Sequence, residues 1–186
     1  MMRPSPPMPG EGARERRLAE MIRVDHAGEY GAVQIYRGQQ AVFGRSESKS
    51  HTARIIADME AGEQEHLRTF DRLIAERGVR PTLMAPVWRV AGFGLGAVTA
   101  LMGEKAAHAC TEAVEDVIEE HYAQQSAALQ GLDTELKDVV DRFRQEELAH
   151  RETAIEQGAR DALAYPLLSA VIKLGCRAAI RISEKI

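Results

Sequence analysis

The chain has 186 residues, of which 45% are hydrophobic and 28% charged, so one compact domain with a real core is expected. The net charge of −4 at pH 7 argues against binding of nucleic acid through a broad basic surface, and no nucleic-acid partner is expected. The two cysteines form no CxxC pair, which excludes thiolate zinc sites and iron–sulfur clusters and argues against a disulfide framework.

The N-terminal segment, residues 1–12, reads MMRPSPPMPGEG. It has four prolines in its first nine residues and lacks an apolar stretch, so a flexible tail is predicted rather than a secretion signal. Residues 13–186 are expected to form a single domain.

Prolines and glycines divide the rest of the chain into predicted helices. Five are expected, over residues 13–43, 52–77, 104–129, 135–164 and 167–185. Gly44 and Gly78 provide stops, and Asp133 or Thr134 provides an N-cap. No strand signal competes with these helices. Four long helices with one long crossover between the second and third predict an all-α, four-helix bundle.

The crossover contains an apolar segment, residues 83–102, which reads LMAPVWRVAGFGLGAVTALM. Arg89 is its only charge, and Pro86 and three glycines interrupt it. The segment is near the minimum length for crossing a bilayer, and the proline and arginine weaken that interpretation further. We expect it to lie on or dip into a membrane, or to pack as a buried crossover, rather than to span.

The last predicted helix carries a basic stripe with a period of four residues. It consists of Lys173, Arg177, Arg181 and Lys185. A basic amphipathic helix suits an anionic membrane surface. The alternative is a helix that packs on the bundle and leaves its basic face in solvent.

Two segments repeat the same spacing of an acid and an imidazole. Glu63 and His66 occur in EQEH, and Glu147 and His150 occur in ELAH. Residues three apart on a helix are neighbours on one face, so each pair can reach one metal ion. Carboxylate and imidazole together suit iron, manganese or zinc.

Each pair needs further acids from the other helices to complete a site. The first predicted helix offers Glu29, which is 34 residues before Glu63. The third offers four acids: Glu112, Glu115, Glu119 and Glu120. Two lone glutamates and two ExxH pairs are the ligand set of ferritin-like di-iron proteins, which predicts a dinuclear centre in the bundle. Spacing alone leaves open which acid of the third helix takes part.

Several long segments resemble the COQ7 / Cat5 family of demethoxyubiquinone hydroxylases. They read RVDHAGEYGAVQIYRGQ, MEAGEQEHLRTF, ACTEAVEDVIEEHY, RFRQEELAHRETAIEQGA and LGCRAAIRISEKI. The resemblance covers nearly everything from about residue 18 to residue 186, and only the proline-rich tail falls outside it. It implies a ferritin-like four-helix bundle with a di-iron carboxylate core.

The resemblance also implies an activity and a ligand set. A chain of this family would hold two iron ions, activate O₂ and hydroxylate the ring of a polyprenyl 6-methoxy-3-methyl-1,4-benzoquinol, demethoxyubiquinol, in ubiquinone biosynthesis. Carried over residue by residue, the iron ligands are Glu29, Glu63, His66, Glu115, Glu147 and His150. His121 and Tyr122 match a pair thought to relay electrons or protons. NADH is the implied reductant.

The family's location follows from the same resemblance. A peripheral protein on the cytoplasmic face of a bacterial inner membrane is expected, because no mitochondrial-type presequence is seen. Residues 83–102 and the basic stripe would contact the bilayer, and a homo-oligomer or a complex of quinone-biosynthesis proteins is a further expectation. The rival interpretations are a ferritin-like iron-storage or peroxide-handling protein and a metal-free helical membrane adaptor.

Overall fold

The computed structural model describes residues 11–44 and 50–186, and within these ranges the protein is helical with no strand. The helices are α1 (Glu11–Phe43), α2 (Ser50–Arg77), α3 (Ala85–Leu101), α4 (Glu104–Leu129), α5 (Thr134–Glu156) and α6 (Tyr165–Lys185). The all-α prediction is confirmed. Residues 1–10 of the predicted tail lie outside the described residues. The last two residues of that tail, Glu11 and Gly12, belong to α1.

Helices α1, α2, α4 and α5 form the predicted four-helix bundle. Helix α1 packs on α2, and α4 packs on α5, so the bundle consists of two helix pairs. The four helices share an apolar core, to which they contribute Met21, Ile22, Phe70, Leu73, Tyr122, Leu136, Val140 and Phe143. This core lies at one end of the polar cluster described below.

Most helix ends follow local sequence signals. Helix α2 ends at Arg77, and Gly78 takes the left-handed conformation with φ of 61° that glycine adopts without steric cost. Helix α5 begins after Asp133, whose carboxylate accepts a hydrogen bond of 3.0 Å from the backbone N–H of Leu136. Asp133 is therefore the N-cap, one of the two candidates from the sequence.

The predicted end of the fourth bundle helix at residue 164 is wrong. Helix α5 stops at Glu156, and Gly158 adopts a left-handed conformation with φ of 85°. A short 3-10 turn, Ala159–Asp161, follows, and Ala164 also has a positive φ, of 52°. The alanines of this segment favour helix, but the reversal at Gly158 redirects the chain toward α6.

The apolar segment forms α3, which packs along α1 with very close backbone approach. A Cβ on Gly96 would lie 1.9 Å from the carbonyl oxygen of Ile35, and one on Gly38 would lie 2.2 Å from that of Phe93. The opposite face of α3 is exposed and apolar, with Val90 and Leu101 at 73% and 75% exposure. The segment is thus a crossover buried on one face only. Within the described ranges no helix combines the length and hydropathy that crossing a bilayer requires.

The basic stripe of α6 is turned partly toward the bundle. Lys173 pairs with Asp116 of α4 at 2.7 Å, and Arg177 pairs with Glu120 at 3.1 Å. The more exposed face of α6 is apolar instead, and includes Leu167, Val171 and Leu174. Helix α6 therefore packs on the bundle, as in the alternative interpretation, but part of its basic face is paired with α4 rather than left in solvent.

Candidate metal centre

The six predicted ligands meet in the middle of the bundle. Glu29 lies on α1, Glu63 and His66 on α2, Glu115 on α4, and Glu147 and His150 on α5. Their donor atoms form two groups, in each of which all atoms lie within 4.8 Å of one another. One group adds Glu29 and His66 to a shared pair of carboxylates, and the other adds Glu115 and His150. The shared pair is Glu63 and Glu147.

Both imidazoles direct Nδ1 at the cluster. Nδ1 of His66 lies 3.0 Å from Glu147 Oε1 and 3.4 Å from Glu29 Oε2. Nδ1 of His150 lies 3.0 Å from Glu63 Oε1 and 3.3 Å from Glu147 Oε2. The two ExxH pairs therefore face each other across the bundle axis, and each imidazole contacts the carboxylate of the opposite pair.

The donor atoms are buried but lack the contacts that buried polar groups normally make. The four glutamates and His66 are at most 1% exposed. Among the described residues, eight nitrogen and oxygen atoms of the six side chains have no hydrogen-bond partner, because even the 3.0 Å approaches lack hydrogen-bond geometry. Buried polar atoms without partners are costly, and metal ions would satisfy all of them. The donor set therefore fits two metal ions.

The electrostatics of the cluster also require positive charge. Burial raises the pKa of Glu29 and of Glu115 well above the ordinary range, and the charges of Glu63 and Glu147 raise both further. Burial would also raise the pKa of Glu63, but the imidazoles of His150 and His66 lower it to about 2. In the protein without metal ions, protons on the cluster balance part of its charge.

The two imidazoles hold such protons tightly. Burial opposes protonation of His150, but Glu147 and Glu63 raise its pKa to about 10. The same balance holds the pKa of His66 well above its usual value, with Glu147 and Glu29 as the main carboxylate partners. A metal ion bound at Nδ1 would replace these protons.

The structure separates the four acids of the third predicted helix, now α4. Only Glu115 faces the cluster. Glu112 accepts a hydrogen bond of 2.9 Å from Arg160, Glu119 pairs with Arg144 at 2.7 Å, and Glu120 pairs with Arg177. Residues three and four apart are neighbours on a helix, so spacing does not separate Glu112 and Glu119 from Glu115. Their arginine partners, Arg160 and Arg144, draw these two carboxylates away from the cluster.

Two tyrosines hold the lone glutamates in place. Tyr122 on α4 donates a hydrogen bond to Glu29, and Tyr36 on α1 donates one of 2.7 Å to Glu115. Burial, together with the neighbouring carboxylates, raises the pKa of both phenols well above the ordinary value, so they stay protonated donors. Sequence reasoning missed Tyr36. The signal was present, since each tyrosine follows a lone glutamate by seven residues.

His121 does not reach the cluster itself but belongs to a polar group beside Tyr122. Its Nε2 lies 3.3 Å from Oδ1 of the buried Asp25, and Gln125 contacts both at 2.7 and 2.8 Å. His121 also lines a small surface pocket with Arg17. The ring centroids of His121 and Tyr122 are 6.3 Å apart, so His121 lies at the pocket and its sequence neighbour Tyr122 lies at Glu29.

An apolar cavity of about 370 Å³ lies on the other side of the lone glutamates, between α1, α3, α4 and α6. Gly28, the neighbour of Glu29, and Val114, the neighbour of Glu115, both line it. A Cβ on Gly28 would meet no atom within 4 Å, so the missing side chain leaves space in the cavity. Its volume lies in the range of roughly 300–1,000 Å³ typical of small-molecule sites.

Comparison with known proteins places this chain in a family. The family model described as ubiquinone biosynthesis protein COQ7 matches residues 16–183. A 3-demethoxyubiquinol 3-hydroxylase of Rhodospirillum rubrum is 49% identical over 179 residues, which cover 96% of this chain and 83% of the relative.

Eukaryotic relatives are similar over nearly the same extent. The mitochondrial NADPH-dependent 3-demethoxyubiquinone 3-hydroxylase of Rattus norvegicus is 48% identical over 170 residues, covering 89% of this chain and 76% of the relative. The mitochondrial 5-demethoxyubiquinone hydroxylase of Saccharomyces cerevisiae is 38% identical over 184 residues, covering 91% of this chain and 78% of the relative. The chain that folds into this bundle, with its buried cluster of glutamates and histidines, belongs to the COQ7 family of ubiquinone biosynthesis proteins.

Proposed function

We propose that this chain is a di-iron monooxygenase that hydroxylates the ring of a polyprenyl demethoxyubiquinol in ubiquinone biosynthesis. The observation that carries the proposal is the buried cluster of four carboxylates and two imidazoles with unsatisfied donor atoms. The reaction is that named for the relatives from Rhodospirillum rubrum and Rattus norvegicus.

The proposed ligands are Glu29, Glu63, His66, Glu115, Glu147 and His150. Four carboxylate charges and two divalent ions cancel, which removes the electrostatic cost of burying the carboxylates. Two iron(II) ions held there would supply electrons and open coordination positions for the reduction of O₂. Glu63 and Glu147 belong to both donor groups, so they would help to hold both ions.

The remaining residues of the site orient these ligands and control access to them. Tyr36 and Tyr122 fix the carboxylates of Glu115 and Glu29 by donating hydrogen bonds. The almost complete burial of the glutamates excludes bulk water from the place where O₂ would be reduced. We assign His121 and Tyr122 to the delivery of electrons or protons, because His121 lines the surface pocket and Tyr122, the next residue, donates a hydrogen bond to Glu29.

The apolar cavity is the proposed binding site of the quinol. Its walls adjoin Glu29 and Glu115, so a ring held there would lie beside the proposed ions. A polyprenyl tail is almost insoluble in water and has to be collected from a membrane. The exposed apolar faces of α3 and α6 flank the cavity, and they are our proposed surface of contact with the cytoplasmic face of the inner membrane.

We assign the basic stripe a different role from the one that its sequence suggests. Lys173 and Arg177 are engaged in ion pairs with α4, so we assign the bilayer contact to apolar side chains rather than to this stripe. The reductant is proposed to be a reduced nicotinamide nucleotide. The resemblance implies NADH, whereas the name of the relative from Rattus norvegicus specifies NADPH.

Iron storage or peroxide handling would use the same six ligands. Neither activity needs an apolar cavity against the ligand helices or large exposed apolar side chains on two helices. Membership of a ubiquinone biosynthesis family likewise favours the hydroxylase.

The proposal is tested in a strain that lacks its own hydroxylase and makes no ubiquinone. Expression of this chain should restore ubiquinone, and Glu115→Ala or His150→Ala should each abolish the rescue. Glu112→Ala is the matched control, because Glu112 lies one turn from Glu115 but contacts Arg160. If demethoxyubiquinone still accumulates when the protein is well expressed, the proposed substrate is wrong. If the purified chain holds less than about one iron after anaerobic reconstitution, the proposed di-iron centre is wrong.

A further inference from the structure

The two halves of the proposed centre repeat each other closely. The half formed by α1 and α2 provides Glu29, Tyr36, Glu63 and His66, and that formed by α4 and α5 provides Glu115, Tyr122, Glu147 and His150. In both halves the tyrosine crosses to the lone glutamate of the other half. A centre built from such halves would offer two equivalent metal positions.

The halves differ at the residue that precedes each ExxH pair. This residue is Glu146 on α5 and Gly62 on α2. Oε2 of Glu146 lies 2.7 Å from Nε2 of His66. A Cβ on Gly62 would lie 3.3 Å from Cε1 and 3.4 Å from Nε2 of His150. The two positions therefore face the same edge of the opposite imidazole, but only one of them carries a side chain.

The contact with Glu146 fixes His66. A carboxylate accepts hydrogen bonds, so Nε2 of His66 donates its hydrogen to Glu146 and Nδ1 is left to bind an ion. The ring of Phe143 stacks on that of His66 with centroids 3.9 Å apart, which restricts its rotation. The side chain of His66 is fully buried.

His150 lacks this support. Its side chain is 17% exposed, and no hydrogen bond to its Nε2 occurs among the residues that the structure describes. Gly62 offers no atom that could orient the ring. The imidazole of His150 therefore has no orienting contact at Nε2 among the described residues, whereas that of His66 has one in Glu146.

We propose that the two metal positions are unequal, with Glu146 as the positioning residue responsible for the difference. The position beside Glu29 and His66 binds its ion about 10–100-fold more tightly than the position beside Glu115 and His150, the factor that an orienting partner of a ligand histidine usually contributes. The inference rests on the dinuclear centre of the proposed function. The difference in affinity implies that the ion beside Glu115 and His150 exchanges more readily than the ion beside Glu29 and His66.

The test is a titration of the full chain, stripped of metal, with Co(II) under anaerobic conditions, followed by visible absorption. Two ions should bind in two phases with dissociation constants about 10–100-fold apart. His150→Ala should keep only the tight phase, and His66→Ala only the weak one. Glu146→Ala should weaken the tight phase by a similar factor, and Glu146→Gln, which keeps an acceptor oxygen, should restore most of it.

Glu152→Ala is the control, because Glu152 is exposed on the same helix. Circular dichroism checks that each variant keeps its helices. Three outcomes would each overturn the inference while leaving the dinuclear centre intact. They are two equal binding steps, loss of the tight phase in His150→Ala, and an unchanged tight phase in Glu146→Ala. A chain that binds no cobalt would overturn the dinuclear centre itself.

Discussion

Tyr36 on α1 donates a hydrogen bond of 2.7 Å to Glu115 on α4, and both side chains are about 1% exposed. Tyr122 on α4 makes the reciprocal bond to Glu29 on α1. Each tyrosine thus crosses from one helix pair to the other at the level of the proposed metal centre. These two bonds tie the halves of the bundle together while they orient the carboxylates.

Replacing Tyr36 by Phe should destabilise the metal-free protein. The change removes the hydrogen bond to Glu115 and leaves a buried carboxylate oxygen without its partner. We expect the free energy of unfolding to fall by about 1–3 kcal/mol. Urea unfolding of the metal-free chain measures this change. Tyr30→Phe is the control, since Tyr30 is half-buried on the same helix; an equal loss in both variants would contradict a specific role for Tyr36.

Replacing Tyr122 by Phe tests the proposed relay. If Tyr122 carries electrons or protons from the pocket at His121, reduction of the bound iron by a nicotinamide nucleotide should slow about tenfold or more, while reduction by dithionite should not. Stopped-flow absorption measures both rates. Tyr36→Phe is the matched control, because Tyr36 makes the equivalent bond without a neighbouring His121. Equal slowing in the two variants would argue for a purely orienting role of both tyrosines.

Metal binding should release protons and strengthen as the pH rises. Without metal ions the pKa of His150 is about 10, and burial raises that of Glu29 well above its ordinary value. Groups with raised pKa hold protons at pH 7 that an ion must displace, so affinity rises with pH. Calorimetric titration with Co(II) in two buffers of different ionisation enthalpy measures the protons released. Equal heats in both buffers would contradict this expectation.

Gly96→Ala should displace α3 from α1. The new Cβ would lie 1.9 Å from the carbonyl oxygen of Ile35, a backbone atom that cannot move aside. We expect a loss of about 1–3 kcal/mol in the free energy of unfolding. The control is Gly94→Ala on the same helix, where a Cβ would meet no atom within 4 Å. That change should be neutral or stabilise by up to about 1 kcal/mol, and similar losses in both would contradict the close packing.

Val90→Asp combined with Leu174→Asp should weaken binding to liposomes by at least about tenfold, because each change removes an exposed apolar side chain from the proposed bilayer contact. Flotation of the purified chain with vesicles of mixed neutral and anionic lipid measures binding. Ala61→Asp, at an exposed position on α2, is the control. If Lys173→Glu weakens binding more than the double change does, the basic stripe would be the contact after all.

Local sequence signals were sufficient for most of the bundle. Gly78 and Asp133 mark the end of α2 and the beginning of α5 through their own backbone and side-chain chemistry. The exception is the end of α5, where several alanines favour helix but Gly158 reverses the chain. A glycine inside a helical pattern is ambiguous, and the packing of the following segment decides its conformation.

The clustering of each ExxH pair could be predicted because helical spacing relates residues on one face directly, whereas Glu115 was selected by the family resemblance. Contacts between side chains on different helices could not be predicted in this way. Tyr36 looks like an ordinary core tyrosine until α4 brings Glu115 opposite to it. The same limit applies to the basic stripe of α6, since the partners of Lys173 and Arg177 lie on α4 and become neighbours only in the fold.

The close contact between α1 and α3 has a mechanical consequence for the apolar cavity. With Gly96 against the backbone of Ile35, these two helices cannot move apart or slide without breaking backbone packing. Helix α6, the opposite wall, is held through its side chains: Ile172 packs with Cys110 and Val114, and Ser183 accepts a hydrogen bond of 2.9 Å from Trp88. One wall of the cavity is therefore fixed by contact between backbones and the other by contact between side chains.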